Sequence, residues 1–254
     1  MSDHVVVGIQ DRILTIHLNR PEKKNAVTFA MYKAMTEALT RADGDPAVRV
    51  VLITGTRDCF TAGNDLADFA RAKPGQISPA IGYLEALAAA VKPVVAAVGG
   101  VAIGIGTTML LHCDLVYAAA GARFQLPFVN LGLCPEAASS AILPALMGIH
   151  RAAELLFFGE PFGAEAARDL GIVNQVVADS DLVATATAKA QQLSQKPPAS
   201  LRTTKMLLKC GQAEAVKQAM SRESEQFAAL LQGLEAREAM AAFLERRKPD
   251  FLRF

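Results

Sequence analysis

The stretch VVAAVGGVAIGIGTTMLL, residues 94–111, contains no charged side chain. Whether it crosses a membrane or lies in a protein core decides the fold class of this chain. The stretch is nominally long enough to cross a bilayer. However, Pro93 precedes it, and the pair Gly99 and Gly100 divides it, with further glycines at 104 and 106. We therefore interpret it as a buried strand, a glycine turn and the start of a helix rather than as a membrane span.

The same alternation of strands and helices extends to both sides of this stretch. Residues 5–19 alternate apolar and polar side chains around Asp11 and Arg12, which predicts a hairpin. Thr28 has the chemistry of an N-cap and predicts a helix over 29–42. Further strands are predicted at 48–54, 94–98, 114–119 and 172–177, and further helices at 78–91, 105–112 and 137–146. Parallel strands need such crossovers, so the fold class is α/β.

After Val177 the strand pattern ends and only helices are predicted. They are expected at 180–194, 198–210, 213–231 and 235–247. One face of the last helix carries Ala236, Met240, Phe243 and Leu244, a stripe expected to be buried against the core, another helix or another subunit. Lys196-Pro197-Pro198 marks a boundary, so we expect a core domain at 1–196 and a helical region at 197–254.

The composition narrows the functional class. Of 254 residues, 52% are hydrophobic, and 26 Lys and Arg nearly balance 25 Asp and Glu. This balance predicts a globular protein without a broad basic face for nucleic acid. The four cysteines show neither CxxC pairing nor metal-like spacing with the histidines, so we expect neither a disulfide framework nor a metal site. The N-terminus lacks a signal-peptide pattern, and we expect a cytoplasmic protein without membrane attachment.

Two glycine-containing segments carry candidate chemistry: CFTAGNDL at 59–66 and GGVAIGIG at 99–106. The second lacks both the GxGxxG spacing and the GK[ST] ending, which weakens a dinucleotide or P-loop interpretation. Taken separately, the glycines would equally suit close packing between helix and strand. Their combination with other motifs is more specific.

Together with Asn19-Arg20-Pro21, Asn25-Ala26 and FGAEAARDLGIV at 162–173, these segments resemble the crotonase superfamily, also called the enoyl-CoA hydratase/isomerase family. The match covers nearly the whole chain in the expected order. The resemblance implies a crotonase-like spiral of ββα units, followed by a helical C-terminal region that packs on neighbouring subunits in trimers or paired trimers. It also implies an acyl-CoA thioester substrate and no separate cofactor.

The resemblance further implies that the main-chain N–H groups of Asn64 and Ile105 bind the thioester oxygen. Removing a proton alpha to a thioester places negative charge on that oxygen, and losing one of two such donors typically costs roughly 3 to 4 kcal/mol. Ile105 takes the place of a more usual glycine, but the donated group is main-chain. It also begins the helix predicted at 105–112, whose N-terminus would favour an anion.

Other candidates concern the CoA moiety. By the resemblance, the residues expected at CoA are Lys23, Lys24, Ala62, Asp65, Leu66 and Lys248. The two loop lysines could meet the phosphates, although exposed loop lysines are usually just solvated. Lys248 would reach the CoA of a neighbouring subunit. Asp65 is expected to cap or brace its loop rather than to transfer protons.

The choice of reaction depends on carboxylates. Family hydratases use two glutamates, and the matching positions here hold Thr108 and Phe128, neither of which can do acid/base work. Glu136 is the only charged side chain between Phe124 and His150, and by itself it fits either a surface turn or chemistry.

The segment around Glu136 resembles the Δ3,Δ2-enoyl-CoA isomerase branch, where a glutamate in a PEG-type segment is the base; here Ala137 replaces the usual glycine. One carboxylate suffices to take a proton from C2 and return it to C4. Its apolar neighbours are expected to raise its pKa.

Several alternatives remain open at this stage. One is another crotonase-type reaction, such as hydration with unusual residues, thioester hydrolysis or dehalogenation. Another is an acyl-CoA-binding protein without turnover. A serine hydrolase is disfavoured because Ser139 and Ser140 lack a GxSxG elbow. His112 and His150 are expected to be packed or capping groups rather than ligands.

Overall fold

The computed structural model describes residues 3–65, 67–68, 78–245 and 247–254. Its strands are β1 (Val5–Gln10), β2 (Ile13–Leu18), β3 (Val50–Thr54), β4 (Cys59–Thr61), β5 (Val94–Val98), β6 (Val101–Ile103), β7 (Leu115–Ala119), β8 (Arg123–Gln125), β9 (Phe162–Gly163) and β10 (Gln175–Val177). Its helices are α1 (Phe29–Gly44), α2 (Pro79–Ala89), α3 (Ile105–Thr108), α4 (Ser139–Met147), α5 (Ile149–Phe158), α6 (Ala164–Asp169), α7 (Leu182–Ser194), α8 (Pro198–Cys210), α9 (Ala213–Leu231) and α10 (Leu234–Leu244).

A six-stranded sheet forms the first layer, in the order β1-β2-β3-β5-β7-β10. β1 and β2 are an antiparallel hairpin, and its turn residues Asp11 and Arg12 both have positive φ, as a two-residue turn requires. From β2 onward, neighbouring strands in this sheet are parallel. The predicted hairpin and the predicted α/β class are therefore confirmed.

A second sheet, in the order β4-β6-β8-β9, turns the chain into a spiral. The pairs β3–β4, β5–β6 and β7–β8 each place their first strand in the six-stranded sheet and their second strand in the four-stranded sheet. Helices α2, α3 and α4 follow the three pairs in turn. This arrangement confirms the expected spiral of ββα units.

The four-stranded sheet corrects the interpretation of residues 94–111. The strand β5 and the turn at Gly99 and Gly100 are present, but a further strand, β6, follows the turn. The predicted helix over 105–112 is α-helical only through Thr108 and continues as a 3-10 helix, Met109–His112. Three-residue strands are too short to produce an alternating pattern, which is why this sheet was not predicted.

Helix α1 shows how the core forms from its sequence. The Thr28 hydroxyl accepts a hydrogen bond from the N–H of Met31 at 3.2 Å and so caps the first turn, as predicted. Met31, Met35 and Leu39 then recur at four-residue spacing and are fully or almost fully buried. The helix therefore packs one apolar stripe against the core.

The C-terminal helices pack on the core of the same chain. Lys205 of α8 is buried, and its Nζ lies 2.6 Å from Oδ2 of Asp114, just before β7. On α10, Ala236 is buried, whereas Phe243 is 62% and Leu244 77% exposed. Within one chain, therefore, only part of the predicted stripe is covered.

No described helix has both the length and the apolar character that crossing a bilayer requires.

Candidate active site

Two backbone segments leave the four-stranded sheet at the same edge. β4 and β6 are parallel, and their register pairs Thr61 with Ala102. Asn64 lies three residues beyond Thr61, and Ile105 lies three residues beyond Ala102. Because parallel strands end at a common edge, the two predicted oxyanion donors are brought to one side of the sheet.

The main chain around Asn64 is fixed by an isolated parallel bridge to Val27. The N–H of Val27 donates to the carbonyl of Gly63 at 2.8 Å, and the N–H of Asp65 donates to the carbonyl of Val27 at 3.0 Å. The N–H of Asn64 takes part in neither bond. This geometry holds the peptide rigidly while leaving its donor out of the bridge.

Ile105 is the first residue of α3, after Gly104, whose φ is 56°. The N–H groups of Thr107 and Thr108 donate to the Gly104 carbonyl at 2.9 Å, so the turn is closed behind Ile105. An N–H in the first helical turn has no partner four residues earlier. Because α3 has only four residues, main-chain donors rather than a long helix dipole must supply any effect on an anion.

Gly106 allows α3 to begin against β4. A Cβ at this position would lie 2.7 Å from Cγ2 and 3.0 Å from the carbonyl oxygen of Thr61. Thr61 cannot easily move away, because it is fully buried and its hydroxyl donates to the carbonyl of Asn25 at 2.7 Å. The glycine is therefore required by the close approach of backbone to backbone at this edge.

Glu136 faces the same helix. Thr108, one turn beyond Ile105, is fully buried, and its hydroxyl donates to Oε1 of Glu136 at 3.4 Å. Burial, and then the negative charge of Glu223, raise the pKa of Glu136 to about 7, while the hydrogen bond from Thr108 opposes the rise. Glu136 is therefore no freely solvated turn residue, and the pKa moves in the direction expected.

Tyr32 connects the two sides of the site, and the sequence patterns did not identify it. It is fully buried on α1, and its hydroxyl donates to Oδ1 of Asn64 at 2.5 Å. Burial raises its pKa well above the ordinary value, and the negative charge of Glu136 adds to the rise. The phenol therefore stays protonated and remains a donor to Asn64.

The backbone after Glu136 has a left-handed conformation, with φ of 61° at Ala137 and 56° at Ala138. His112 Nε2 lies 2.8 Å from the carbonyl oxygen of Ala137, which can only accept, so this nitrogen carries the proton. Burial lowers the pKa of His112 to about 4, which keeps the ring neutral. His112 is thus a packed group that fixes the turn.

Glu223 of α9 reaches the same turn. Its carboxylate accepts hydrogen bonds from the N–H groups of Ala138 and Ser140, at 2.6 and 2.8 Å. No motif in the sequence marks Glu223, which stands among polar residues of an amphipathic helix. Only the packing of α9 against α4 brings it to the site.

The CoA candidates fall into two groups. The carbonyl of Lys24 accepts a hydrogen bond from the N–H of Ala62 at 2.9 Å, which places the exposed loop of Lys23 and Lys24 beside the segment that leads to Asn64. Lys248 is exposed in the C-terminal segment, and within the described ranges no side-chain hydrogen bond or ion pair connects it to the other candidates. Leu66 lies outside the residues that the structure describes.

Asp65 braces its loop, as expected. It pairs with Nη1 of Arg20 at 2.6 Å and accepts hydrogen bonds from the N–H groups of Ala67 and Asp68. Partial burial acts to raise its pKa, but the hydrogen bonds from Arg20, Asp68 and Ala67 outweigh this and lower it. A carboxylate held ionised in this way is a poor proton carrier.

The chain is similar to known proteins along nearly its whole length. A family profile described as Enoyl-CoA hydratase/isomerase matches residues 8–253. The mevalonyl-coenzyme A hydratase sidH of Aspergillus fumigatus is 36% identical, with 94% of this chain and 91% of that protein covered. The enoyl-CoA delta isomerase 2 of Rattus norvegicus is 34% identical over 97% of this chain and 64% of its own length.

A solved structure gives the same answer for the fold. The enoyl-CoA hydratase/isomerase from Pseudoalteromonas atlantica T6c is 41% identical, with a TM-score of 0.94 over 98% of this chain and 100% of that chain. Sequence profile, curated relatives and three-dimensional likeness therefore agree along nearly the whole length. This chain is an enzyme of the enoyl-CoA hydratase/isomerase family, within the crotonase superfamily.

Proposed function

We propose that this enzyme shifts the double bond of a 3-enoyl-CoA to give the 2-enoyl-CoA, with Glu136 as its only acid/base. The observation that carries the proposal is the contact between Thr108 and Glu136. Thr108 matches the position of one hydratase glutamate, and the buried Phe128 matches the other. Glu136 is the carboxylate that contacts Thr108, and one such acid/base suits proton transfer between two carbons better than the addition of water.

The reaction moves one proton from C2 to C4 and passes through an intermediate with a negatively charged thioester oxygen. The Glu136 carboxylate takes the proton from C2, and the electrons spread over C1 to C4 and the thioester oxygen. The N–H groups of Asn64 and Ile105 stabilise the negative oxygen. Protonated Glu136 then delivers the proton to C4, which leaves the double bond between C2 and C3. A pKa of about 7 suits a group that must both accept and donate a proton near neutral pH.

We propose that the acyl-CoA binds on the side of the sheet where Asn64 and Ile105 lie. Lys23 and Lys24 would pair with CoA phosphates, while Ala62 and its neighbours would line the path to the thioester. Lys248 would complete the site from a neighbouring subunit.

We further propose a homotrimer or a dimer of trimers, in which the region 197–254 packs on a neighbouring subunit and its exposed apolar side chains, such as Phe243 and Leu244, become covered. Light scattering coupled to size-exclusion chromatography measures this oligomeric state.

The test uses a 3-enoyl-CoA, with products separated by liquid chromatography and mass spectrometry. Isomerisation leaves the mass unchanged, whereas hydration adds one water. Glu136→Gln keeps the shape of the side chain but removes the base, so the rate should fall about 10² to 10⁴-fold. Glu225→Gln, an exposed position on α9, is the matched control and should retain full activity.

Two results would contradict the proposal. One is an unimpaired Glu136→Gln enzyme, which would rule out Glu136 as the base. The other is a wild-type enzyme that adds water to a 2-enoyl-CoA but leaves a 3-enoyl-CoA unchanged, which would make it a hydratase.

A further inference from the structure

We infer that Glu223, on the C-terminal helix α9, is a positioning residue for the base: it holds the main chain of residues 136–140, and its negative charge acts on Glu136. The inference rests on the proposed role of Glu136. It goes beyond that role because it makes the C-terminal helical region part of the catalytic apparatus.

The first support is geometric. Both carboxylate oxygens of Glu223 are used, Oε2 by the N–H of Ala138 and Oε1 by the N–H of Ser140. The residue is only 6% exposed. Helix α4 begins at Ser139, and its N-cap residue, Ala138, has no side chain able to cap it. Glu223 therefore supplies from another helix the acceptor that an N-cap normally provides.

The second support is the conformation that these bonds hold. Ala137 and Ala138 both have positive φ, which L-residues other than glycine adopt rarely. Such a conformation persists only when its surroundings determine it. Here His112 fixes the carbonyl of Ala137 and Glu223 fixes the N–H of Ala138. These contacts keep Glu136 directed at Thr108.

The third support concerns which of the two carboxyl groups is charged. Glu223 accepts two main-chain N–H bonds at the start of a helix, which stabilise its ionised form. Glu136 receives a single, longer bond from Thr108. Of two neighbouring carboxyl groups, the less well solvated one takes up the proton first. Glu223 therefore keeps the charge, and Glu136 carries the proton that moves.

Few other groups that can carry charge face this pair. Burial raises the pKa of Glu223, while the hydrogen bonds from Ser140 and Ala138, and then the charge of Arg222, favour its ionised form. Burial, and then the negative charges of Glu223 and Glu136, raise the pKa of the Cys134 thiol. Tyr32 and His112 are held neutral by burial.

The experiment follows the Glu136 carboxyl group directly. Infrared difference spectra of substrate-free protein, recorded against pH, contain a protonated carboxyl band that is assigned to Glu136 by its loss in Glu136→Gln. In Glu223→Gln the nearby negative charge is gone, so the midpoint of this band should move to lower pH by about one unit. The acidic limb of the pH–rate profile should move the same way. Glu225→Gln removes one charge from the exposed side of α9 and should leave the midpoint unchanged.

Glu223→Asp separates charge from reach. The shorter side chain keeps the charge but cannot span both N–H groups, so the rate should fall at every pH while the midpoint stays near the wild-type value. If Glu223→Gln does not fold, the same measurement is made on Glu223→Gln/Ala138→Gly, in which glycine removes the strain at Ala138.

The outcomes separate the two claims. A midpoint that stays in place when Glu223 loses its charge overturns the inference, whatever the activity. Because the titration needs no substrate, an inactive wild-type enzyme overturns the proposed function without affecting this measurement.

Discussion

The two halves of the site, the strand edge that carries Asn64 and Ile105 and the turn that carries Glu136, are held in place by different means. The edge is fixed by the main-chain pairing of β4 with β6 and by the bridge to Val27. The turn contains two left-handed alanines and depends on Glu223, which lies 85 residues along the chain from Ala138. The proposed oxyanion donors are thus held by main-chain pairing, whereas the proposed base is held by side chains from other parts of the chain.

Gly106→Ala should have the largest effect, because it disturbs the strand edge that carries both Asn64 and Ile105. The added Cβ would stand 2.7 Å from Thr61 Cγ2, so β4 and the start of α3 must separate. Losing one oxyanion donor costs roughly 3 to 4 kcal/mol, so kcat/KM for the 3-enoyl-CoA should fall about 10²-fold or more. Steady-state kinetics measure the fall in kcat/KM, and urea unfolding measures the loss of stability caused by the separation of β4 from α3.

The matched control for this prediction is Gly82→Ala in α2, where a Cβ would meet nothing within 4 Å. Alanine at this helical position should stabilise the protein by about 0.5 to 1 kcal/mol and leave the rate unchanged. Full activity in Gly106→Ala would mean that the strand edge tolerates displacement. It would contradict the view that main-chain pairing at this edge fixes Asn64 and Ile105.

Besides its loss of rate, Glu136→Gln should change how the stability of the protein depends on pH. The pKa of Glu136 is about 7 in the folded protein and is raised from 4.5. A raised carboxyl pKa stabilises the fold fully below the unfolded pKa, and this contribution is lost as pH rises through the folded pKa. The wild type should therefore lose up to about 3 kcal/mol of unfolding free energy over this range, and the glutamine variant should not.

Urea unfolding from about pH 4 to about pH 8 measures this difference. The catalytically impaired variant should match or exceed the wild type in stability above pH 7, and its advantage should shrink as pH falls. Glu225→Gln controls for the loss of one exposed charge. Parallel stability curves for wild type and Glu136→Gln would show that Glu136 is solvated like an ordinary surface carboxylate.

The difference between the strand edge and the turn also explains which parts of the structure the sequence could predict. The strand β5 and the helix α1 with its Thr28 cap depend on neighbours close in sequence, and the proposed oxyanion positions lie in motifs that the family resemblance marks. The short strands β6 and β8 left no periodic signal, because three residues cannot show one. Tyr32 and Glu223 could not be found by pattern, because each enters the site only through packing of a helix whose own sequence is ordinary.

Ala137→Gly should have the smallest effect and tests the turn most finely. Glycine relieves a left-handed residue, a gain of roughly 1 to 2 kcal/mol, but it loses a buried methyl worth about 0.8 kcal/mol and loosens the unfolded chain by about 0.5 to 1 kcal/mol. These terms nearly cancel, so urea unfolding should give a change of less than about 1 kcal/mol. Ala190→Gly, equally buried but inside α7, has no strain to relieve and should lose about 2 kcal/mol. Equal losses at the two positions would show that the left-handed conformation of Ala137 is not strained.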